Sequence, residues 1–480
     1  MVAVIMVIVF LLGYVLIALE HPLKINKAGT ALVMGTVLWV LYIFSASTFI
    51  PNVSLDAFNS YLGLHPELMG MTSDELFLRY VVDEQLPYSV GEVCETLIFL
   101  AGTMLVVEMI DAHGGFLFIT DHITLRDKRK LLVLIATLTF FMSSVLANMT
   151  TCIVMIMLVR KLVGNYKERW LFGSIIVIAS NSGGAWSPIG DVTTIMLWVQ
   201  GNISTDQTIT KLILPSIVSA VVPVWIACRF LHGDITPPHN TTKFESESEL
   251  WRNLSTIQRV SILVLGVLVG LMSVPVFKSV TNLPPYMGML LSLGILWIYT
   301  DQMYAHSSSI NEGVKSQMTQ IIRRLDTTTL FFFLGILLAV DTLSYCGVLG
   351  AFASWLDSSV GNVYVMDLII GILSSIVDNV PLVSASMNMY PIATDVVVEA
   401  ASDPEYMLNF VEDGAFWQFL TYTAGVGGSM MIIGSASGIV MMGLERVKFI
   451  WYTKNISLMA FAGYMAGAVV YGLEKLIFSF

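Results

Sequence analysis

The chain has 480 residues, 56% of them hydrophobic and only 12% charged, with a mean hydropathy of +0.77 and a formal charge of −11. A soluble protein of this length carries about 25% charged residues, so half that share excludes a set of water-soluble domains and points to a polytopic membrane protein with the lipid bilayer as its surroundings. No nucleic-acid partner is expected, and Cys94, Cys152, Cys228 and Cys346, which lack metal-ligand spacing, read as small apolar fillers.

Residues 1–19 are too long, too apolar and too poor in N-terminal charge for a cleaved signal, and predict a first transmembrane helix. Further spans are expected at 28–49, 94–113, 171–199, 211–231, 257–275, 286–303, 328–346, 415–443 and 452–473, those at 171–199 and 415–443 being broken. Two segments, 131–159 and 363–390, are apolar with polar centres and are expected to turn back inside the membrane as helical hairpins.

Charge orders these spans across the membrane. Lys24 and Lys27 mark a cytoplasmic connection, while 50–93 holds seven acids against the single base Arg79 and belongs outside. Arg126, Lys128, Arg129 and Lys130 precede the first hairpin, and Arg160, Lys161, Lys167 and Arg169 follow it, so it enters from the cytoplasm and returns there. The loop Gly233–Ser255, with Pro237-Pro238, reads as a cytoplasmic linker, and Arg323 and Arg324 fall on the same side. No Lys or Arg occurs from Pro381 to Gly414, which places the mouth of the second hairpin outside. Arg446, Lys448 and Lys454 return the chain to the cytoplasm. The count is ten crossings and two re-entrant hairpins, with both termini outside.

Local sequence repeats in the same order. Thr96-Leu-Ile-Phe-Leu-Ala-Gly with Glu108 matches Thr329-Leu-Phe-Phe-Phe-Leu-Gly with Asp341, and Ser143-Ser-Val-Leu-Ala-Asn matches Ser374-Ser-Ile-Val-Asp-Asn. Gly183-Gly184 with Ile189-Gly190 matches Gly427-Gly428 with Ile433-Gly434. In halves of opposite orientation this predicts an inverted-topology repeat, the frame of alternating-access transporters. The expected fold is an all-α polytopic membrane protein divided as 1–93 (N-terminal scaffold), 94–232 (first repeat), 233–327 (linker and scaffold helices) and 328–480 (second repeat).

The breaks concentrate groups that could carry chemistry. Asp378-Asn379, ahead of Val380-Pro381, sets a carboxylate in an apolar run at a cost of about 2.5–3.5 kcal/mol, which makes it a candidate for an ion or proton task. Its first-half counterpart is Ala147-Asn148 with Thr150 nearby, so charge there falls to Asp191. Asn181, Thr193 and Thr194 add oxygens in the first half, and Thr423, Ser429, Ser435 and Ser437 do so in the second. Oxygens without a Cys/His cluster suit a hard cation. Thr193 and Thr194 could equally cap a helix. Glu108, Asp111 and His113 are candidates for a proton relay or gate, as is Asp341.

The runs Glu108-Met-Ile-Asp-Ala-His-Gly-Gly-Phe116, Ser144-Val-Leu-Ala-Asn-Met-Thr-Thr151, Ser180-Asn-Ser-Gly-Gly-Ala-Trp-Ser-Pro-Ile-Gly-Asp-Val-Thr-Thr194 and Ser375-Ile-Val-Asp-Asn-Val-Pro-Leu382 resemble the NhaD-type sodium/proton antiporters. These belong to the ion transporter superfamily, with the dicarboxylate/sodium symporters. The resemblance covers about 94–443 and implies exchange of Na⁺, often Li⁺ as well, for H⁺, with no resident cofactor and a homodimeric assembly. By motif it assigns function to Asp191, Thr193, Thr194, Asn148, Asn181, Ser374, Asp378 and Asn379, with Asp378, Asn379, Asp191 and Asn148 as the Na⁺ ligands. Where many members carry Asp-Asn in the first hairpin, this chain has Ala147-Asn148.

The rivals are a Na⁺-coupled symporter of a carboxylate, which needs positive contacts at midplane that are not found near either break, and a channel, which needs a continuous polar path. An enzyme is disfavoured: His232 and His239 lie in the linker region without a partner motif. The charge placement fits a bacterial cytoplasmic membrane.

Overall fold

The computed structural model describes residues 2–18, 23–68, 70–113, 125–235, 256–305, 321–323, 325–376 and 378–478. Glu20, Gly114–Phe116, His239, Arg324 and all of the linker beyond Ile235 lie outside the described residues. Within them the chain is helical, with a lone antiparallel bridge between Asp127 and Asp234. Among the described residues six helices are long and apolar enough to cross a membrane: Lys27–Phe44, Ser73–Ala112, Thr205–Cys228, Ile257–Thr281, Thr327–Tyr345 and Ser457–Ile477.

Pro285–Ala305 is a single helix of 21 residues and Val2–Ala18 one of 17, and the other expected segments are helical in pieces. The 131–159 and 363–390 stretches each form two helices joined by a short link: Lys128–Ser143 with Asn148–Leu162, and Val363–Leu373 with Asn379–Met389. The two segments expected to be broken are broken. Tyr166–Ala185 unwinds through Trp186–Asp191 before Val192–Val199, and Ala415–Gly427 unwinds before Ala436–Glu445. Pro188, which has no N–H to give, and the Gly pairs explain why the helices stop there. The acidic connection 50–93 is partly helical, and from Ser73 on it is continuous with the span ending at Ala112, which was expected to start only at residue 94. It holds helices Leu55–Leu64 and Ser73–Tyr80, the latter started by a capping box in which the Thr72 amide donates to Glu75 Oε2 at 3.1 Å.

The chain separates into two compact units. The first comprises residues 1–98, 326–366 and 380–392. At its centre Lys27–Phe44 crosses Thr327–Tyr345 where Gly35 meets Gly335; a Cβ on Gly335 would strike the Ala31–Leu32 backbone, so only glycine permits this approach. Trp39 Nε1 donates to the Leu338 carbonyl at 3.1 Å, and Tyr42 donates to Gln85 Oε1 at 2.8 Å.

The second unit comprises 99–325, 367–379 and 393–480. Its core is the pair of broken helices. Every residue from Phe172 to Ala185 is buried, as is every residue from Phe416 to Gly427, so each helix is surrounded on all sides. Thr205–Cys228 packs along Ser457–Phe478 through Gly463 and Gly467. At one end, Glu445 accepts from both Arg160 and Arg169, and Trp170 Nε1 donates to the Glu445 carbonyl at 3.0 Å.

Candidate cation site

Asp191 is the N-cap residue of Val192–Val199 and is buried at 2% exposure. The carboxylate is surrounded by the Val192 and Thr193 backbone, the Asn148 side chain and the Asp378 carboxylate. Asn379 Nδ2 donates to Asp191 Oδ2 at 3.4 Å, and the space beyond Oδ2 is left open by Gly425. The starting turn of a helix presents free N–H groups, which favours an anion there. A second carboxylate beside the first opposes that stabilisation.

An amide chain extends from this point. Asn148 Nδ2 donates to Asn181 Oδ1 at 3.3 Å, and Asn181 Nδ2 donates to Ser435 Oγ at 2.9 Å and to Ser429 Oγ at 3.0 Å. Asn148 is in turn fixed by its own N–H, which donates to the Gly190 carbonyl at 3.2 Å. Ser435 caps Ala436–Glu445. The hydroxyl oxygens of Thr193, Thr194 and Ser437 are buried with no hydrogen-bond partner among the described residues. A buried hydroxyl without a partner costs about 1–3 kcal/mol, and here three lie in the first turns of the two helices that follow the breaks. None of the three makes a capping hydrogen bond among the described residues.

Contacts around the two breaks correspond one to one. Ser143 Oγ donates to the Ser180 carbonyl at 2.6 Å, and Ser374 Oγ donates to the Ala424 carbonyl at 2.8 Å. A Cβ on Gly183 would meet the Phe140 carbonyl, and one on Gly427 the Gly371 carbonyl. Gly184 abuts the Gly190 carbonyl as Gly428 abuts that of Gly434.

Asp191, Asp378, Asn379, Asn148, Asn181, Thr193, Thr194 and Ser435 thus gather in the second unit. Asp378 is half-buried, less enclosed than its apolar run implied, because it lies on the link before Asn379–Met389. Ser374 and Thr423 lie beside the site but spend their protons on backbone, Thr423 on the Leu420 carbonyl of its own helix at 3.3 Å. Thr150, half-buried, takes part in none of the hydrogen bonds that build the site. Glu108 (half-buried), Asp111 (exposed) and His113 (buried) stand at the end of Leu86–Ala112 and are not among the groups around Asp191. Asp341 belongs to the first unit, where Asn388 Nδ2 donates to its Oδ1 at 3.4 Å and Glu92 and Ser89 lie close by. Sequence reasoning missed Gly425 and the bond between Ser219 and Ser182 at 2.9 Å. A Gly among many, or a Ser in an ordinary span, carries no local signal of its neighbours.

Apolar helices of spanning length together with a buried, oxygen-rich cluster are the features of an integral membrane protein. Residues 14–411 match the family model CitMHS, described as citrate transporter. "Sodium/proton antiporter 1" of Arabidopsis thaliana is 41% identical over 97% of this chain and 71% of its own length, and "Sodium/proton antiporter 2" of the same plant is 40% identical over 97% and 98%. "Na(+)/H(+) antiporter NhaD" of Vibrio cholerae is 26% identical over 92% and 85%. The chain belongs to the CitMHS transporter family, together with these proteins named as sodium/proton antiporters.

Proposed function

We propose that the protein exchanges Na⁺, and Li⁺ with it, for H⁺ by alternating access. The observation that carries this reading is the pairing of Asp191 with Asp378 in a site of amides and hydroxyls, with no basic group among the neighbours of Asp191 in the described residues. A buried carboxylate with a second, half-buried one beside it is costly to leave bare. Either a dehydrated Na⁺ or a proton relieves that cost, so the two compete for one set of oxygens. Coupling then needs only that the empty, doubly charged site does not reorient. The names of the relatives support the same pair of ions.

Competition sets the sign of the pH dependence. Protons displace Na⁺, so exchange rises with pH while the carboxylates lose protons, and the Na⁺ concentration for half-maximal rate increases as pH falls.

The matched contacts of Ser143 with Ser374, Gly183 with Gly427 and Gly184 with Gly428 support an inverted repeat whose two helical pairs are re-entrant hairpins. The joining of Arg160, Arg169 and Glu445, next to Arg446, supports one basic cytoplasmic face and ten crossings. Both termini are then outside. Charge placement alone favours a bacterial cytoplasmic membrane, whereas the higher identity to the plant proteins favours a membrane of that kind of cell. The first unit, with Asp341, is assigned to the scaffold of a homodimer, and Glu108, Asp111 and His113 to proton entry. Cross-linking in native membranes tests the dimer.

The family model's description makes carboxylate symport the second reading. Inside-out vesicles carrying a pH-sensitive dye separate the two: Na⁺ and Li⁺ are expected to dissipate an imposed pH gradient, and K⁺ and dicarboxylates are not. Asp191→Asn and Asp378→Asn are each expected to lower the rate at least about 100-fold, in line with losing a group the transported ion binds. Full Na⁺-dependent proton movement by either variant, or uptake of labelled dicarboxylate by the unmodified protein, overturns the assignment.

A further inference from the structure

Asp367 is 0% exposed, and neither of its carboxylate oxygens has a hydrogen-bond partner among the described residues. It lies in Val363–Leu373, on one face with Gly371 and Ser374 at helical spacings of four and seven. That face is pressed against two helices. A Cβ on Gly371 would meet the Thr423 carbonyl of Ala415–Gly427 and the Tyr464 hydroxyl of Ser457–Phe478. Ser374, at the other end of the stripe, holds the Ala424 carbonyl beside the cation site.

Among the described residues Tyr464 faces this stripe from Ser457–Phe478, with Tyr422 behind it. Tyr464 stands next to Asp367 and donates its proton to the Leu368 carbonyl at 3.0 Å, and Tyr422 donates its proton to the Tyr464 carbonyl at 2.8 Å. Glu474 and Lys475 are about three turns further along Ser457–Phe478. The hydroxyl proton of Tyr464 is therefore committed. Among the described residues no cation and no uncommitted donor faces the Asp367 carboxylate, so a bare charge there is costly.

A buried carboxyl group with unmade hydrogen bonds is a poor structural element, since both of its oxygens stay unsatisfied. The fold does not demand it. Seven residues before Ser143, the serine that makes the matching contact in the first half, the chain has Ala136, also buried. Nor is it a general property of these helical pairs: from Lys128 to Leu162 there is no acid, whereas 363–389 holds Asp367 and Asp378. An ionisable residue kept at membrane depth is by default functional.

We propose that Asp367 is a second proton-binding position of the exchanger, distinct from the Asp191–Asp378 pair, taking up and releasing one proton in each cycle without contacting Na⁺. The chemistry is only the making and breaking of one O–H bond on the carboxylate, the proton coming from and returning to water when the stripe is opened. The proposal rests on the exchange reading above.

The test uses the unmodified protein and Asp367→Asn in vesicles, with the H⁺:Na⁺ ratio taken from the Na⁺ gradient that just balances a set pH gradient and voltage. The expected result is that Asp367→Asn still exchanges and its ratio falls by one proton per cycle. In parallel, a hydrophobic carbodiimide, which reacts with protonated buried carboxyls, is expected to modify Asp367 in the unmodified protein, with the yield falling at least tenfold as pH is raised through the active range. This second measurement decides the matter if the variant does not fold. An unchanged ratio in the folded variant, or a carbodiimide yield independent of pH, overturns the role of Asp367 and leaves the exchange reading intact. Failure of the unmodified protein to move protons with Na⁺ overturns the exchange reading, and this one with it.

Discussion

Asn181 carries more of the site than its single amide suggests. Its Nδ2 reaches two serine hydroxyls in the unwound segment after Gly427 while its Oδ1 receives Asn148, so one side chain ties both broken segments to Asn148–Leu162. Asn181→Ala leaves Asn148, Ser429 and Ser435 short of partners, a cost of about 1–3 kcal/mol. Expressed in the Na⁺ concentration for half-maximal exchange, this is an increase of about 10-fold, to be measured by titrating Na⁺ in the vesicle assay. Such residues were legible because an Asn, Asp or paired Thr stands out in an apolar run. Asp378, Asn379, Asp191, Asn148 and Asn181 were singled out on that ground, and the structure brings them together. Thr150, Ser374 and Thr423 show the limit of the same signal, since hydroxyls are cheap to satisfy within a helix and their presence does not say which way they donate. Asp367 escaped because, unlike Asp378, it has no adjoining amide or proline to mark a break.

At the scale of elements, the helix breaks were legible from Gly pairs and Pro188, and they fall where those residues interrupt the ladder. What the chain order could not reveal is how the ends of the elements are tied. Glu445, at the end of Ala436–Glu445, has a side chain only 3% exposed and accepts from Arg160 and Arg169, which are 21% and 23% exposed. Removing one charge from a buried triad is strongly destabilising when the partners cannot reach water. Here both arginines keep some hydration, so Glu445→Gln is expected to cost about 1–3 kcal/mol rather than more. A lower midpoint of thermal unfolding in detergent, with little change in the Na⁺ dependence of whatever exchange remains, is the expected outcome. Equal thermal stability would show that the triad ties nothing. In sequence, Glu445 reads as one acid beside a basic cluster, and its partners are almost 300 residues away along the chain for Arg160.

At the scale of the whole molecule, the proposed orientation predicts which surfaces are reachable from each side. Lys130→Cys and Ser402→Cys both create exposed thiols, the first on the basic face and the second in the acidic stretch after the second helical pair. An impermeant maleimide is expected to label Ser402→Cys in right-side-out vesicles and Lys130→Cys only in inside-out ones. Labelling of both from one side would end the inverted arrangement. Composition and hydropathy by themselves determined that this chain is a helical membrane protein and where most of its helices run, because the cost of burying unpaired backbone in lipid leaves few alternatives. The order of Gly, Pro, Asn and Asp within the apolar runs likewise determined where those helices are interrupted. Only the tertiary structure decided which oxygens meet: that Asn379 lies on Asp191, that Asn181 reaches Ser435, and that Asp367 finds no partner among the described residues. These are distances between residues far apart in the chain, fixed by the packing of glycine faces against neighbouring backbone, and no local pattern records them.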